Sequence, residues 1–276
     1  MLDIILDTLI DLLKIIPFLF VAFLIMEYFE HSLSKKKNVL KNKKVGPIVG
    51  SLLGVIPQCG FSVMATNLFS SRVITIGTLI AIYLSTSDEM LPILITNKVS
   101  FKLILIILLI KIIIGIIFGY IIDFFWKKKE TKDFSICDDD HCHCEKGILK
   151  SSLIHTLKIS SYILITTFLL NTLIYYLGED TISKILLKNN FFGPFLASLV
   201  GLIPNCSASI ILTELYLSKV ITTGMLIGGL LTGSGIGLLV LFKVNKDKKE
   251  NFFILISIYL IGVLVGIIFD LLKISF

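Results

Sequence analysis

Two long segments of this chain are versions of one another. Residues 46–97 (GPIVGSLLGVIPQCGFSVMATNLFSSRVITIGTLIAIYLSTSDEMLPILITN) and 193–244 (GPFLASLVGLIPNCSASIILTELYLSKVITTGMLIGGLLTGSGIGLLVLFKV) align without a gap, and roughly two in five positions are identical. The matches include Gly46/Gly193, Pro47/Pro194, Gly54/Gly201, Pro57/Pro204, Cys59/Cys206, Ser62/Ser209 and Gly77/Gly224. Most of these are not interchangeable hydrophobes, so the duplication preserves backbone geometry and specific side chains rather than mere greasiness. A duplicated apolar segment interrupted by Gly and Pro points to a transporter-like site between two halves.

A bilayer is the expected environment. Hydrophobic residues make up 55% of the chain, and mean hydropathy is +0.92, far from a soluble domain. Apolar stretches lie near Leu9–Tyr28, Phe101–Trp126, Leu157–Tyr176 and Phe252–Leu272; a span needs roughly 20 apolar residues. Asp3, Asp7 and Asp11 stand where a cleaved signal peptide would carry basic residues. No Walker lysine loop is present, so ATP hydrolysis is not indicated. The net charge of +6 comes mostly from lysines flanking spans, a positive-inside pattern rather than nucleic-acid binding. No nucleophile–base pair suggests an enzyme.

The expected architecture is an all-α integral membrane protein: repeat one over 1–126, a linker over 127–150 and repeat two over 151–276. Each half has a long helix, a Gly-Pro segment centred on Cys, a third element beginning Val-Ile-Thr, and a last span. The last spans share Asp123/Asp270. Ser34–Lys44 carries six lysines and no acid, so it is expected in the cytoplasm, with Lys127–Lys132 and Lys243–Lys249. The loop Gly178–Asn190 is neutral and is expected outside, as are both termini. These sides agree if each Cys-centred segment is re-entrant, so that each half crosses three times and the halves are inverted, with broken helices meeting near the midplane. The rival arrangement has eight crossings and parallel halves; it places Lys127–Lys129 outside, against the charge rule.

Site candidates follow from the breaks. Pro57 and Pro204 remove an N–H and disrupt the preceding turn. Gln58, Cys59 and Ser62 in one half, and Asn205, Cys206 and Ser209 in the other, stand where freed backbone groups need partners. Half-helix N-termini favour an anion or a polar ligand; thiols, amide oxygens and hydroxyls from both halves suit a soft or borderline cation. The plain alternative is close helix packing through small residues. Asp88 and Glu89 lie within the third element of half one, and half two lacks them. Glu214 stands eight residues after Cys206. Lys111 lies near the centre of a span, where an acid among Asp88, Glu89 and Glu214 is the expected partner. In the linker, Cys137, His141, Cys142, His143 and Cys144, mixed with carboxylates, form a tract suited to a thiophilic metal.

With these residues in view, the chain resembles the bacterial ArsP-like permeases, which are named as heavy-metal or arsenic efflux proteins and also as manganese transporters. The resemblance is carried by the two Gly-Pro…Ile-Pro-Gln/Asn-Cys segments, Leu84–Pro92, Leu212–Tyr216 and the Cys/His linker. It implies a multi-pass protein of a bacterial cytoplasmic membrane that exports a metal ion or metalloid. The metal is then the substrate, and no resident cofactor is expected. Nucleic acid is not an expected partner; a homo-oligomer is left open. A metal-sensing receptor or scaffold is the alternative, and the duplicated breaks favour transport. Cysteine-accessibility labelling is expected to find Gly178–Asn190 on the opposite side of the membrane from Ser34–Lys44. Labelling of both loops from one side would rule out the inverted arrangement.

Overall fold

The computed structural model describes residues 45–56, 59–87, 90–126, 192–204 and 206–274, with scattered helical positions between 16 and 24 and between 149 and 172. All regular elements among the described residues are helices. The first set is α1 (Gly46–Gly54), α2 (Cys59–Ser70), α3 (Ile76–Ser85), α4 (Met90–Thr96) and α5 (Phe101–Phe125). The second is α6 (Gly193–Gly201), α7 (Cys206–Leu217), α8 (Thr223–Thr232), α9 (Gly237–Val244) and α10 (Lys248–Leu271). Each helix of the second set begins at the position that the sequence repeat makes equivalent to its counterpart in the first.

Local chemistry sets these boundaries. Pro47 and Pro194 sit in the first turn of α1 and α6, where a missing N–H costs nothing. Both helices stop before Ile56-Pro57 and Ile203-Pro204, because a residue preceding proline is pushed out of the helical region. Thr75 and Thr222 cap α3 and α8, accepting from the backbone N–H of Thr78 and Met225. The residues at positive φ outside glycine are Arg72, Lys98, Lys219 and Lys273. Each follows a helix C-terminus, where a cation is favoured by the helix dipole.

Among the described residues, four stretches are long and apolar enough to cross a membrane: Ile76–Thr96, Phe101–Phe125, Thr223–Val244 and Lys248–Leu271. Two of them, α3–α4 and α8–α9, are broken midway. The broken pair Thr223–Val244 is 83% buried, while α5 is only 28% buried. The unbroken helices therefore form the outer wall. Leu105, Leu109, Ile113, Ile117 and Ile121 make one exposed stripe on α5, and Ile256, Leu260, Leu264 and Ile268 make its counterpart on α10. Four-residue spacing keeps each stripe on one face, the face that suits lipid chains.

Small residues lock each half into a three-helix unit. Gly115 and Gly119 on α5 meet Ser51 and Pro47 of α1 and Ala81 of α3. Gly262 and Gly266 on α10 meet Ser198 and Pro194 of α6 and the backbone of Gly228 and Gly224 on α8. Such small-xxx-small faces let membrane helices approach backbone to backbone. The contacts also fix direction: α1 and α3 run parallel, and both run against α5. Asp123 then clamps the unit, accepting from Thr75 Oγ1 at 2.6 Å and from the Gly77 N–H at 2.8 Å. Asp270 does the same with Thr222 Oγ1 and the Gly224 N–H, each at 3.0 Å.

The cysteine-centred segment returns to where it started. Pro47 near the start of α1 and Gly77 near the start of α3 both pack against the C-terminal turns of α5. The chain must therefore travel in along α1 and back along α2, since only residues 71–75 join α2 to α3. At Gly77 an added Cβ would lie 2.2 Å from the Gly119 carbonyl oxygen, whereas at Gly233 the nearest atom would be 3.6 Å away. Gly77→Ala is expected to lower stability by about 1–3 kcal/mol through overpacking, and Gly233→Ala to leave it nearly unchanged. Thermal unfolding of the purified protein in detergent compares the two; equal melting temperatures would refute this account of the packing.

Candidate functional site

A helix that ends inside the membrane leaves carbonyl oxygens that lipid cannot satisfy, so the search for partners begins there. At the end of α3, the Ser85 hydroxyl folds back onto the Ala81 and Ile82 carbonyls, the Thr86 hydroxyl bonds Ile82 O at 2.8 Å, and the Ser87 hydroxyl bonds Ser85 O. At the end of α8, Thr232 Oγ1 bonds Gly229 O at 2.8 Å and Ser198 O at 2.9 Å. Gly235, at φ 57°, carries the chain through the left-handed region into α9.

Two carbonyls at these breaks are met by one side chain. Lys111, from the middle of α5, is 1% exposed. Its ammonium donates to the Thr86 carbonyl in the break after α3 and to the Leu230 carbonyl in the last turn of α8, the latter at 2.9 Å. One residue of the first half thus ties together the broken helices of both. An ionised group at this depth costs about 3 kcal/mol, and carbonyls at helix C-termini offset part of that cost through their partial negative charge. The repeat-equivalent position on α10 is Ile258, fully buried.

A small cavity adjoins this bridge. Its described lining comprises Thr86, Ser87, Met90 and Lys111 from one half, and Gly201, Ala208, Ser209, Gly229, Leu230, Gly233 and Gly235 from the other. Its volume is about 10 Å³, room for about one water molecule. The position equivalent to Leu230 across the repeat holds a bulkier side chain. Tyr83, fully buried, stands where half two has Leu230, and its hydroxyl bonds Thr66 of α2. Thr66 Oγ1 also lies 3.1 Å from the Gly237 carbonyl of α9.

Of the sequence candidates, Lys111 and Ser209 meet at this cavity. Ser62 is buried in the seam between α2 and α9, where a Cβ on Gly237 would come within 2.8 Å of it. Its twin Ser209 lines the small cavity together with Met90, the repeat-equivalent of Gly237. Pro204 is half-buried in the break before α7. Glu214 is exposed, one residue past buried Thr213, and so is not among the described lining. Eight residues turn a helix about 80° beyond two full turns, which carries Glu214 away from the face of Cys206. Pro57, Gln58, Asp88, Glu89, Asn205, Cys137, His141, Cys142, His143 and Cys144 lie outside the described residues. Cys59 and Cys206 open α2 and α7, but their side chains are likewise outside the description. Among the described residues no group of three His, Cys, Asp or Glu side chains could hold a metal.

Sequence reading missed the two ends of the seam between the halves. At one end, Arg72 Nη1 pairs with Glu250 Oε2 at 2.8 Å, joining the end of α2 to the start of α10. Trp126 stacks on Phe253 with ring centroids 4.3 Å apart, and the Ser70 hydroxyl bonds the Val244 carbonyl at 3.1 Å. At the other end, the repeat-equivalents of Arg72, Trp126 and Glu250 are Lys219, Lys273 and Leu103, which line an open cleft of about 580 Å³ with Val99, Tyr216, Thr222 and Asp270. Asp123 is accordingly buried, while its twin Asp270 is half-exposed. A signal was present in the sequence: these are positions where the two halves disagree in charge or bulk.

No curated protein and no solved structure matches this chain. A family model described as "Putative, 10TM heavy-metal exporter" matches residues 1–149, which include the first cysteine-centred segment, Asp88 and Glu89, Lys111 and the Cys/His tract. The match covers more than half of the chain, and the apolar spanning helices described above agree with it: the chain belongs to this ArsP-like family of multi-pass membrane proteins.

Proposed function

We propose that this protein is a secondary transporter that exports a heavy-metal ion across a bacterial cytoplasmic membrane, through a site between two inverted halves. The observation that carries the reading is the Lys111 bridge: broken helices from both halves end at one depth and share one buried cation. A sensor or scaffold has no need of such breaks, which are costly in lipid. The inverted arrangement is supported by the opposed directions of equivalent helices: the C-terminal end of α5 meets the N-terminal end of α10 through Trp126 and Phe253.

Charge supports an orientation. The residues next to Ser34–Lys44, Lys127–Lys132 and Lys243–Lys249 gather at the end sealed by Arg72 and Glu250, so we assign that end to the cytoplasm. The cleft at Lys219 and Lys273 then opens outward, and the protein is closed toward the cell. Alternating access follows if the Arg72–Glu250 seal opens as the cleft closes. In this reading Asp88 and Glu89 supply negative charge for the metal, Cys59 and Cys206 tune its identity, and the 137–145 tract of the linker captures metal on the cytoplasmic side.

The test is a growth and accumulation screen of deletion and complemented cells across manganese, zinc, copper, cadmium and arsenite. Expression of the protein is expected to lower the cellular content of at least one of them. Asp88→Asn or Glu89→Gln is expected to abolish this export at normal protein levels, and Cys59→Ser or Cys206→Ser to change metal preference more than rate. Full activity in both acid variants would remove the midplane cation site.

The cytoplasmic seal has its own test. Arg72→Glu sets two carboxylates against each other and is expected to cut export about tenfold or more, since a buried acid loses its partner. Adding Glu250→Arg restores the pair in reverse and is expected to recover most of the activity. If the double variant is no better than the single one, the pair is not a seal.

A further inference from the structure

We infer that the carbonyl oxygens of Thr86 and Leu230 are ligands of the transported cation, and that the Lys111 ammonium occupies their site in this structure as a built-in competitor. The inference rests on the exporter reading above and adds to it the atoms and the exclusion rule.

The geometry is the starting point. The two oxygens come from different halves, yet a single Nζ reaches both. Each lies at the C-terminal end of a half-helix, the end where unpaired carbonyls concentrate negative potential. Unwound carbonyls of this kind hold cations in transporters built on broken helices. Beside them the Ser87 and Ser209 side chains line a cavity no larger than one water. There is therefore no room at this place for a hydrated metal ion while the ammonium is seated. A cation that binds these oxygens must displace Lys111, and Lys111 must return when the cation leaves.

The chemistry selects the cargo. Backbone carbonyls and hydroxyls are hard oxygen donors, and the carboxyl residues Asp88 and Glu89 come two and three positions after Thr86 in the chain. Such a set suits Mn²⁺ or a similar divalent cation better than a soft thiophilic one. A neutral metalloid acid gains nothing from oxygens that already bind an ammonium, so arsenite is not the ligand of this site. A single competitor agrees with the asymmetry of the repeat: Ile258 holds the position equivalent to Lys111, and Tyr83 the position equivalent to Leu230, both fully buried.

Equilibrium dialysis of the purified full-length protein against Mn²⁺, with bound metal quantified, tests this. Lys111→Met keeps an unbranched side chain one atom shorter and removes the charge; it is expected to tighten Mn²⁺ binding at least about tenfold while slowing export, because nothing then drives the metal off. Lys111→Gln keeps donors for the two carbonyls and is expected to show the same gain, which covers the case in which Lys111→Met is unstable. Ile258→Met is expected to leave Mn²⁺ affinity unchanged. Unchanged or weaker Mn²⁺ binding in the folded Lys111→Gln protein would overturn the inference and leave the exporter reading intact. A wild-type protein that lowers the content of none of the metals in the cellular screen would sink both.

Discussion

Everything in this molecule answers to one constraint: a backbone interrupted inside a bilayer must find its hydrogen-bond partners within the protein. The interruptions are written into the chain as Pro57, Pro204 and the Ser/Thr/Gly runs after α3 and α8. The answers are local hydroxyls from Ser85, Thr86, Ser87 and Thr232, and one long-range ammonium from Lys111. Because Lys111 belongs to the first half, the second half depends on its neighbour for a partner to the Leu230 carbonyl. The interface between halves is thus a by-product of solving the backbone problem, and it is also where a ligand can be held.

The interlocked glycines give this interface its mechanical meaning. Within each half, α1, α3 and α5, or α6, α8 and α10, meet through glycines and prolines with no room for an added methyl group at Gly77 or Gly224. Units packed this closely move as rigid bodies. Between halves, α2 lies on α9 and α7 on α4, so the arms of each hairpin reach across. The Arg72–Glu250 pair, the Trp126–Phe253 stack and the Ser70–Val244 hydrogen bond close one end of that seam. Their equivalents at the other end leave it open.

Much of the local design was legible in the chain. Proline and glycine placed the breaks, the repeat paired the elements, and the match of Asp123 with Asp270 marked a shared task. That task, gripping Thr75 and Gly77 or Thr222 and Gly224, was hidden, because residues so far apart in sequence give no local sign of contact. Lys111 is expected to pair with an acid among Asp88, Glu89 and Glu214; Asp88 and Glu89 lie outside the described residues, and the partners described for Lys111 are carbonyls, which sequence alone does not reveal. Two turns of helix suggest a shared face for Glu214 and Cys206, but eight residues overshoot two turns by about 80°, and Glu214 is exposed and absent from the described lining of the cavity. The seal at Arg72 was invisible for a different reason: its partners sit at helix ends whose apposition depends on the fold as a whole.

Lys111 has a consequence for how such a chain can have arisen. A dimer of two identical half-chains related by symmetry would carry either two central lysines or none. Two ammonium ions competing for the same few oxygens repel each other, and none leaves the Thr86 and Leu230 carbonyls unanswered. Joined in one polypeptide, the two copies are free to differ, with lysine at position 111 and isoleucine at 258. The fused chain is therefore more than a tethered pair: its halves have become different parts, and a protein assembled from two first halves or two second halves would lack a balanced centre.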